Sequence, residues 1–245
     1  MKIYTTLNIG AFHTNYCEDF WIEEQVGTNK KLIAVLDGCT MGNESVFASI
    51  LLGKILRHTA KRKFYEEFIT PTSNDLQSTL KDIIKSLLKD TRNIKNQLGL
   101  EINELLSTLI IGVIETQRQV AEFLVIGDGL IFCDGKAFEF EQNDKPDYLG
   151  YHLDDDFEYW YESQNQKLSI SHFKDLSICS DGIFSFKNLK NTTEQKSESE
   201  ILAYLLLDKK GSRFDTFLDN KIRSLKDHGH YVTDDLAIVR VIADS

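Results

Sequence analysis

Three apolar runs in this chain stop on a carboxylate followed by glycine: KLIAVLDGCTMG (Lys31–Gly42), EFLVIGDG (Glu122–Gly129) and DLSICSDG (Asp175–Gly182). Asp-Gly favours tight hairpins, so turn chemistry is one explanation. After Asp37-Gly38 and Asp181-Gly182, however, the chain does not return as a strand. It runs through CTMGNES toward a helix in the first case and through IFSF into a polar, helix-prone region in the second. Two more acidic pairs stand at strand borders, Glu18-Asp19 in NYCEDFWI and Asp234-Asp235 in VTDDLAIV. Carboxylates beside buried strands are costly unless they are paired or bound to metal, and Lys and Arg are scarce near all four places. Hard oxygen donors with no His or Cys pattern favour Mg²⁺ or Mn²⁺ over zinc.

Composition narrows what such a site could serve. The 245 residues are 42% hydrophobic and 27% charged, which suits a globular chain with a large core. Two prolines, no low-complexity stretch and no internal period leave nothing to mark a linker, so residues 1–245 read as one domain. The net charge of −10, with scattered basic residues, argues against nucleic acid or an anionic membrane as partner. Cys17, Cys39, Cys133 and Cys179 lack the spacing of a zinc site or disulfide framework and read as reduced thiols. No apolar run approaches bilayer length and MKIYTTLNIGAFHT lacks a signal-peptide profile, so the expected location is the cytoplasm.

The elements that must position the acids follow from periodicity. Strands are expected at Lys2–Ile9, Glu18–Glu24 and Leu32–Leu36. A helix follows with Val46, Phe47, Ile50, Leu51, Ile55 and Leu56 on one face, and a second, capped by Ser73, carries Leu76, Leu80, Ile83, Ile84, Leu87 and Leu88 and ends near Gly99. Ser107–Thr116 and Val120–Asp128 read as strands joined by a short polar loop, and LIFCDGKAFEF reads as a hairpin with Asp134-Gly135 at its tip. Residues 141–167 read as a polar, aromatic excursion over the surface. Helical patterns near Ile201–Leu207 and Phe214–Leu225 precede a last strand, Leu236–Val241. This order suggests two antiparallel sheets packed together with helices outside, an α+β sandwich.

The ordered motifs resemble the protein phosphatase 2C family of metal-dependent serine/threonine phosphatases over nearly the whole chain. The resemblance rests on Glu18-Asp19, on Asp37-Gly38 through Gly42, on LSTLIIGVI, on Gly127-Asp128-Gly129, on Ser180-Asp181-Gly182 and on the closing Asp234-Asp235-Leu236-Ala237-Ile238-Val239. It implies a four-layer αββα sandwich of two antiparallel sheets flanked by helix pairs, with 141–167 as a flap beside the site. It also implies two Mn²⁺ or Mg²⁺ ions. Asp37 would bridge them, Asp181 and Asp234 would hold one, and Glu18 with the Gly38 carbonyl would hold the other; Asp19 would orient ligands or water. A water bridging the metals, deprotonated, would attack the phosphorus of a phosphorylated protein substrate, placing the chain as a monomer opposite a serine/threonine kinase.

Several positions depart from the family pattern. The phosphate-gripping Arg is replaced by Thr14, with His13 beside it as a candidate substitute when protonated. Asp128 matches a ligand of the third metal seen in many bacterial relatives, but the companion position is Ser185, which predicts a weak or absent third site. Cys39 and Thr40 replace a common His-Gly. The haloacid-dehalogenase signature is excluded, because its nucleophilic aspartate, two residues before the second one, would fall at Val35. A regulatory module with little or no turnover is the competing reading; the retained Glu18, Asp37, Asp181 and Asp234 favour an enzyme.

Overall fold

The computed structural model describes residues 1–13, 15–39, 42, 45–69, 75–141 and 146–243. Strands β1 (Lys2–Asn8), β12 (Leu236–Ile242), β9 (Asp175–Cys179), β6 (Gly129–Cys133) and β7 (Lys136–Phe140) form one antiparallel sheet in that order. Strands β2 (Asp19–Gly27), β3 (Lys30–Gly38), β4 (Ser107–Glu115), β5 (Val120–Ile126) and β8 (Lys167–Ile170) form the other. Helices α1 (Ser45–Ile69) and α2 (Leu76–Leu98) cover the second sheet, while α4 (Glu198–Leu202) and α5 (Phe217–Asp227) cover the first. The expected α+β sandwich of four layers is what forms.

Side-chain alternation explains how the layers bury and where the acids fall. Along β3, Leu32, Ala34 and Leu36 face the helices, whereas Ile33 and Val35 face the opposing sheet. Asp37 lies two residues beyond Val35 and therefore falls on the inter-sheet side. On β12, Ala237, Val239 and Val241 face inward, which assigns Asp235 to the same side; on β9, Leu176 and Ile178 do so for Ser180. The apolar layer between the sheets thus ends in polar groups supplied by both.

Several local expectations are corrected. Of the α1 stripe, Ile55 and Leu56 are buried but Val46, Phe47, Ile50 and Leu51 are only half-buried; Ala48, Ser49, Leu52, Thr59 and Ala60 fill the face instead. Small residues serve there because α1 lies close on β2: a Cβ at Gly53 would come within 2.4 Å of the Phe20 ring. Ser73 lies outside the described residues, and the observed cap of α2 is Asp75, whose Oδ1 accepts from Ser78 N at 2.6 Å. The pattern at Ile201–Leu207 begins as α4 and widens into a π-helical turn over Ala203–Leu207. Two three-residue strands, β10 (Phe186–Asn188) and β11 (His230–Val232), pair as a separate ribbon. They are too short to show alternation.

Residues 141–167 are less of a surface excursion than their composition suggests. Within them α3 (Phe157–Ser163), capped by Asp156, buries Trp160 and Tyr161 to 4% and 3% exposure in the core shared by α1, α2 and the second sheet. Lys81 and Lys85 of α2 pair with Glu158, and Lys81 also with Glu162. Polar residues therefore face outward while the two aromatics anchor the segment. No helix among the described residues is long and apolar enough to cross a membrane. Trp160→Ala should cost about 3–5 kcal/mol and lower the midpoint of thermal unfolding by roughly 10 °C for a chain of this size, measured by circular dichroism; a segment resting loosely on the surface would show little change.

Candidate active site

Strand register brings the first acids together. Asp37 sits directly opposite Asp19 on β2 and Thr108 on β4, and Gly38 N donates to Glu18 O at 3.1 Å. Asp181 opens a single helical turn immediately after β9, and Asp234 and Asp235 lie in the connection from β11 to β12. Asp128 lies between β5 and β6, flanked by Gly127 and Gly129 at φ of 90° and 133°. These left-handed positions favour glycine, which lets the chain turn sharply at the site.

Hydrogen bonds between the two sheets lock this end of the sandwich. Ser180 Oγ donates to Asp19 Oδ2 at 2.6 Å and accepts from Ala237 N at 2.9 Å. The buried Asp235 accepts from Gly10 N at 2.7 Å and from Glu18 N at 2.6 Å, tying β12 to the segment that enters β2. Gly182 answers the question raised by its Asp-Gly sequence: a Cβ there would stand 1.8 Å from Asp235 O, so the glycine admits the backbone of the last strand.

The electrostatics follow from burial of like charges. Burial, reinforced by the charges of Asp181 and Asp235, pushes Asp19 up to about 7, against hydrogen bonds with Ser180 and Asp37 that pull it down. Asp37 is raised well above the ordinary carboxylate range by burial, then by Asp19, Asp181 and Asp234. Burial with the charges of Asp128 and Asp234 takes Asp181 up to about 6, and burial followed by Asp234 raises Asp128. For His13, burial acts downward but is outweighed by its contact with Asp235 and by the charges of Asp235, Asp234 and Glu18, so its pKa is raised. Its Nδ1 is 3.0 Å from Asp235 Oδ2 and its Nε2 is 3.4 Å from Asp234 Oδ1.

The fold therefore gathers Asp19, Asp37, Asp128, Asp181 and Asp234 into one cluster of interacting charges, with His13 and Glu18 at its edge. Thr14 and Thr40 lie outside the described residues. Among the described residues no group of three or more His, Cys, Asp and Glu side chains is arranged as a ready-made ion cage. The donor set nevertheless fits hard divalent cations: the cluster is built of carboxylate oxygens, and its acids are raised by burial and by one another's charges.

Sequence reasoning missed Tyr148, which comes from the segment after β7. It is buried, its hydroxyl contacts the Cys39 thiol, and burial with that contact raises its pKa; the charges of Asp37 and Asp128 act in the same direction. No periodicity marks it. Ser180 and Asp235 were legible in principle, because alternation carries their strands' inward face to those positions.

The comparisons with known proteins agree with this architecture. A family model described as protein phosphatase 2C matches residues 13–231. The chain belongs to the protein phosphatase 2C family. Among solved structures, a point variant of a bacterial serine phosphatase is 11% identical, with TM-score 0.62 and coverage of 100% of this chain and 99% of that one. The catalytic domain of the serine/threonine phosphatase PstP in complex with two manganese ions is 15% identical, with TM-score 0.60 and coverage of 99% and 98%. The phosphatase domain of SpoIIE from Bacillus subtilis, solved with a fragment of its regulatory domain, is 17% identical at TM-score 0.58; 99% of this chain covers 64% of that one. At these identities the likeness is one of fold. No curated protein gives a significant match to the chain.

Because Asp19 and Asp181 stay protonated in the folded protein up to about 7 and 6, while an unfolded Asp loses its proton near pH ~3.9, the folded state binds more protons across that window. Stability without added cation therefore falls as pH rises from about 4 to 7. The raised His13 acts with the same sign, its contribution being lost as pH passes its folded-state value. Calorimetry in EDTA should show a higher melting temperature at pH 5 than at pH 8.

Proposed function

We propose that this protein is a divalent-cation-dependent phosphatase that hydrolyses phosphoserine and phosphothreonine in proteins. The observation that carries the reading is the partly buried carboxylate cluster fed by both sheets, in a member of the protein phosphatase 2C family. Glu18, Asp37 and the Gly38 carbonyl would hold one Mn²⁺ or Mg²⁺ ion, and Asp37, Asp181 and Asp234 the other. When bound, the cations would supply Lewis-acid activation of water and offset charge on the phosphoryl group.

This chain's own groups orient the ligands. Ser180 holds one oxygen of Asp19, and the backbone of Glu18 is held by Asp235. His13, with each ring nitrogen facing a carboxylate, steadies Asp234 and Asp235 and brings a positive charge to the mouth of the site when protonated. Asp128 lies close enough to raise Asp181 and is the candidate for a further, weaker cation position. Because both sheets contribute to the site, residues 1–245 are read as one catalytic domain, with 141–167 bordering the site through Tyr148. Free Cys17, Cys39, Cys133 and Cys179 accord with a cytoplasmic setting. The partner is then a phosphorylated protein, with a serine/threonine kinase as the opposing enzyme.

The test is hydrolysis of a phosphoserine peptide followed by phosphate release. Activity should require Mn²⁺ or Mg²⁺, vanish in EDTA and return on re-addition, and Asp37→Asn and Asp181→Asn should each lose at least about 100-fold in kcat with an unchanged circular-dichroism spectrum. Turnover in EDTA, or full activity in Asp181→Asn, overturns the reading. Mn²⁺ binding without turnover would favour a regulatory module on the same fold. At saturating Mn²⁺, about 100 times Kd, the wild type should gain about 2.7 kcal/mol, read as a melting shift of several degrees.

A further inference from the structure

The ligand-bearing segments are not held in place equally well. Asp37 has a strand on either side, and the β2–β3–β4 ladder fixes its position against Asp19 and Thr108. Asp181 and Asp234 lie beyond regular pairing. The β12–β9 register ends at Ile238 and Cys179, followed by a hydrogen bond from Ser180 N to Ala237 O at 3.1 Å, and regular pairing resumes only at Phe186 and Val232, where β10 meets β11. Between those two ladders, the stretches that carry Asp181 and Asp234 need contacts of their own.

Ser185 supplies the side-chain contact, beside a backbone bond from Thr233 N to its carbonyl oxygen at 3.3 Å. Its hydroxyl donates to Gly182 O at 2.8 Å, closing the turn that carries Asp181, and accepts from Asp234 N at 3.0 Å and Thr233 N at 3.2 Å. Thr233 Oγ1 adds a bond to Ser185 O at 2.7 Å. Among the described residues, the hydrogen bonds between the Asp181 turn and residues 233–234 all pass through Ser185. One oxygen is thus donor to one ligand-bearing segment and acceptor from the other, which neither a methyl nor an unbranched alkyl group can reproduce.

We propose that Ser185 is a positioning residue whose hydroxyl fixes Asp234 to the Asp181 turn, setting the spacing of these two carboxylates before a cation arrives. The proposal rests on the metal-dependent reading above. It assigns Ser185 a definite task in this chain, one that requires no contact with the cation or the substrate.

The decisive comparison is Ser185→Thr against Ser185→Val, two side chains of nearly equal shape that differ in the hydroxyl. Calorimetric titration of the whole chain with MnCl₂ should show affinity about 10–100-fold weaker in Ser185→Val and close to wild type in Ser185→Thr. With a phosphoserine peptide, kcat should fall in the valine variant while KM changes little. Amide exchange at Asp234, measured in EDTA, should be faster in Ser185→Val than in Ser185→Thr, and melting curves in EDTA confirm that both variants fold. Wild-type Mn²⁺ affinity in Ser185→Val, or equal damage in the threonine and valine variants, overturns the assignment and leaves the phosphatase reading standing. A wild-type protein that takes up no Mn²⁺ overturns both.

Discussion

Desolvation of carboxylates crowded at one end of the inter-sheet layer, reinforced by their mutual repulsion, is the constraint around which this molecule is organised. Asp19, Asp37, Asp128 and Asp181 are raised first by burial and then by neighbouring carboxylate charges, Asp234 being among the sources for Asp37, Asp128 and Asp181. A hydrophobic core alone would drive such groups apart into water. They stay because rigid elements hold them.

The rigid elements divide that work. The β2–β3–β4 ladder places Asp37 by register, and the inward faces of both sheets bring Asp19, Ser180 and Asp235 to the same layer. Ser180 and Asp235 then join one sheet to the other, so the site cannot open without parting the sandwich. Glycines occur where backbones cross: Gly182 lies under Asp235, and Gly127 leaves room for Thr108 and the Asp147 carbonyl. The Asp-Gly pairs at Asp37 and Asp181 therefore serve purposes other than a hairpin. The pair at Asp134-Gly135, with φ of 48° and 90°, is the hairpin turn that its flanking alternation indicates.

Much of the fold was legible because it repeats simple periods. Alternation and short apolar runs located β1 through β7 and β12 to within a few residues, and the α2 stripe of Leu76, Leu80, Ile83, Ile84, Leu87 and Leu88 is buried as its spacing indicates. The α1 face was misjudged because Gly53 and the small residues around it yield to a neighbouring sheet whose position the helix sequence does not encode. Trp160 and Tyr161 were unassignable for a similar reason: an aromatic residue in a polar stretch is anchor or surface depending on whether α1 and α2 are there to receive it.

The sequence by itself determined the identity of the acids, their places at strand ends and the order of motifs shared with the protein phosphatase 2C family. These are local properties, carried by residue type and by periods of two and 3.6. Only the tertiary structure decided that Tyr148 reaches Cys39 beside Asp37, that His13 faces Asp234 and Asp235, and that Ser185 joins the Asp181 turn to the segment carrying Asp234. Each of these contacts depends on the distance and angle between two separately formed elements. That relation is fixed by packing across the sandwich, and no period along the chain records it.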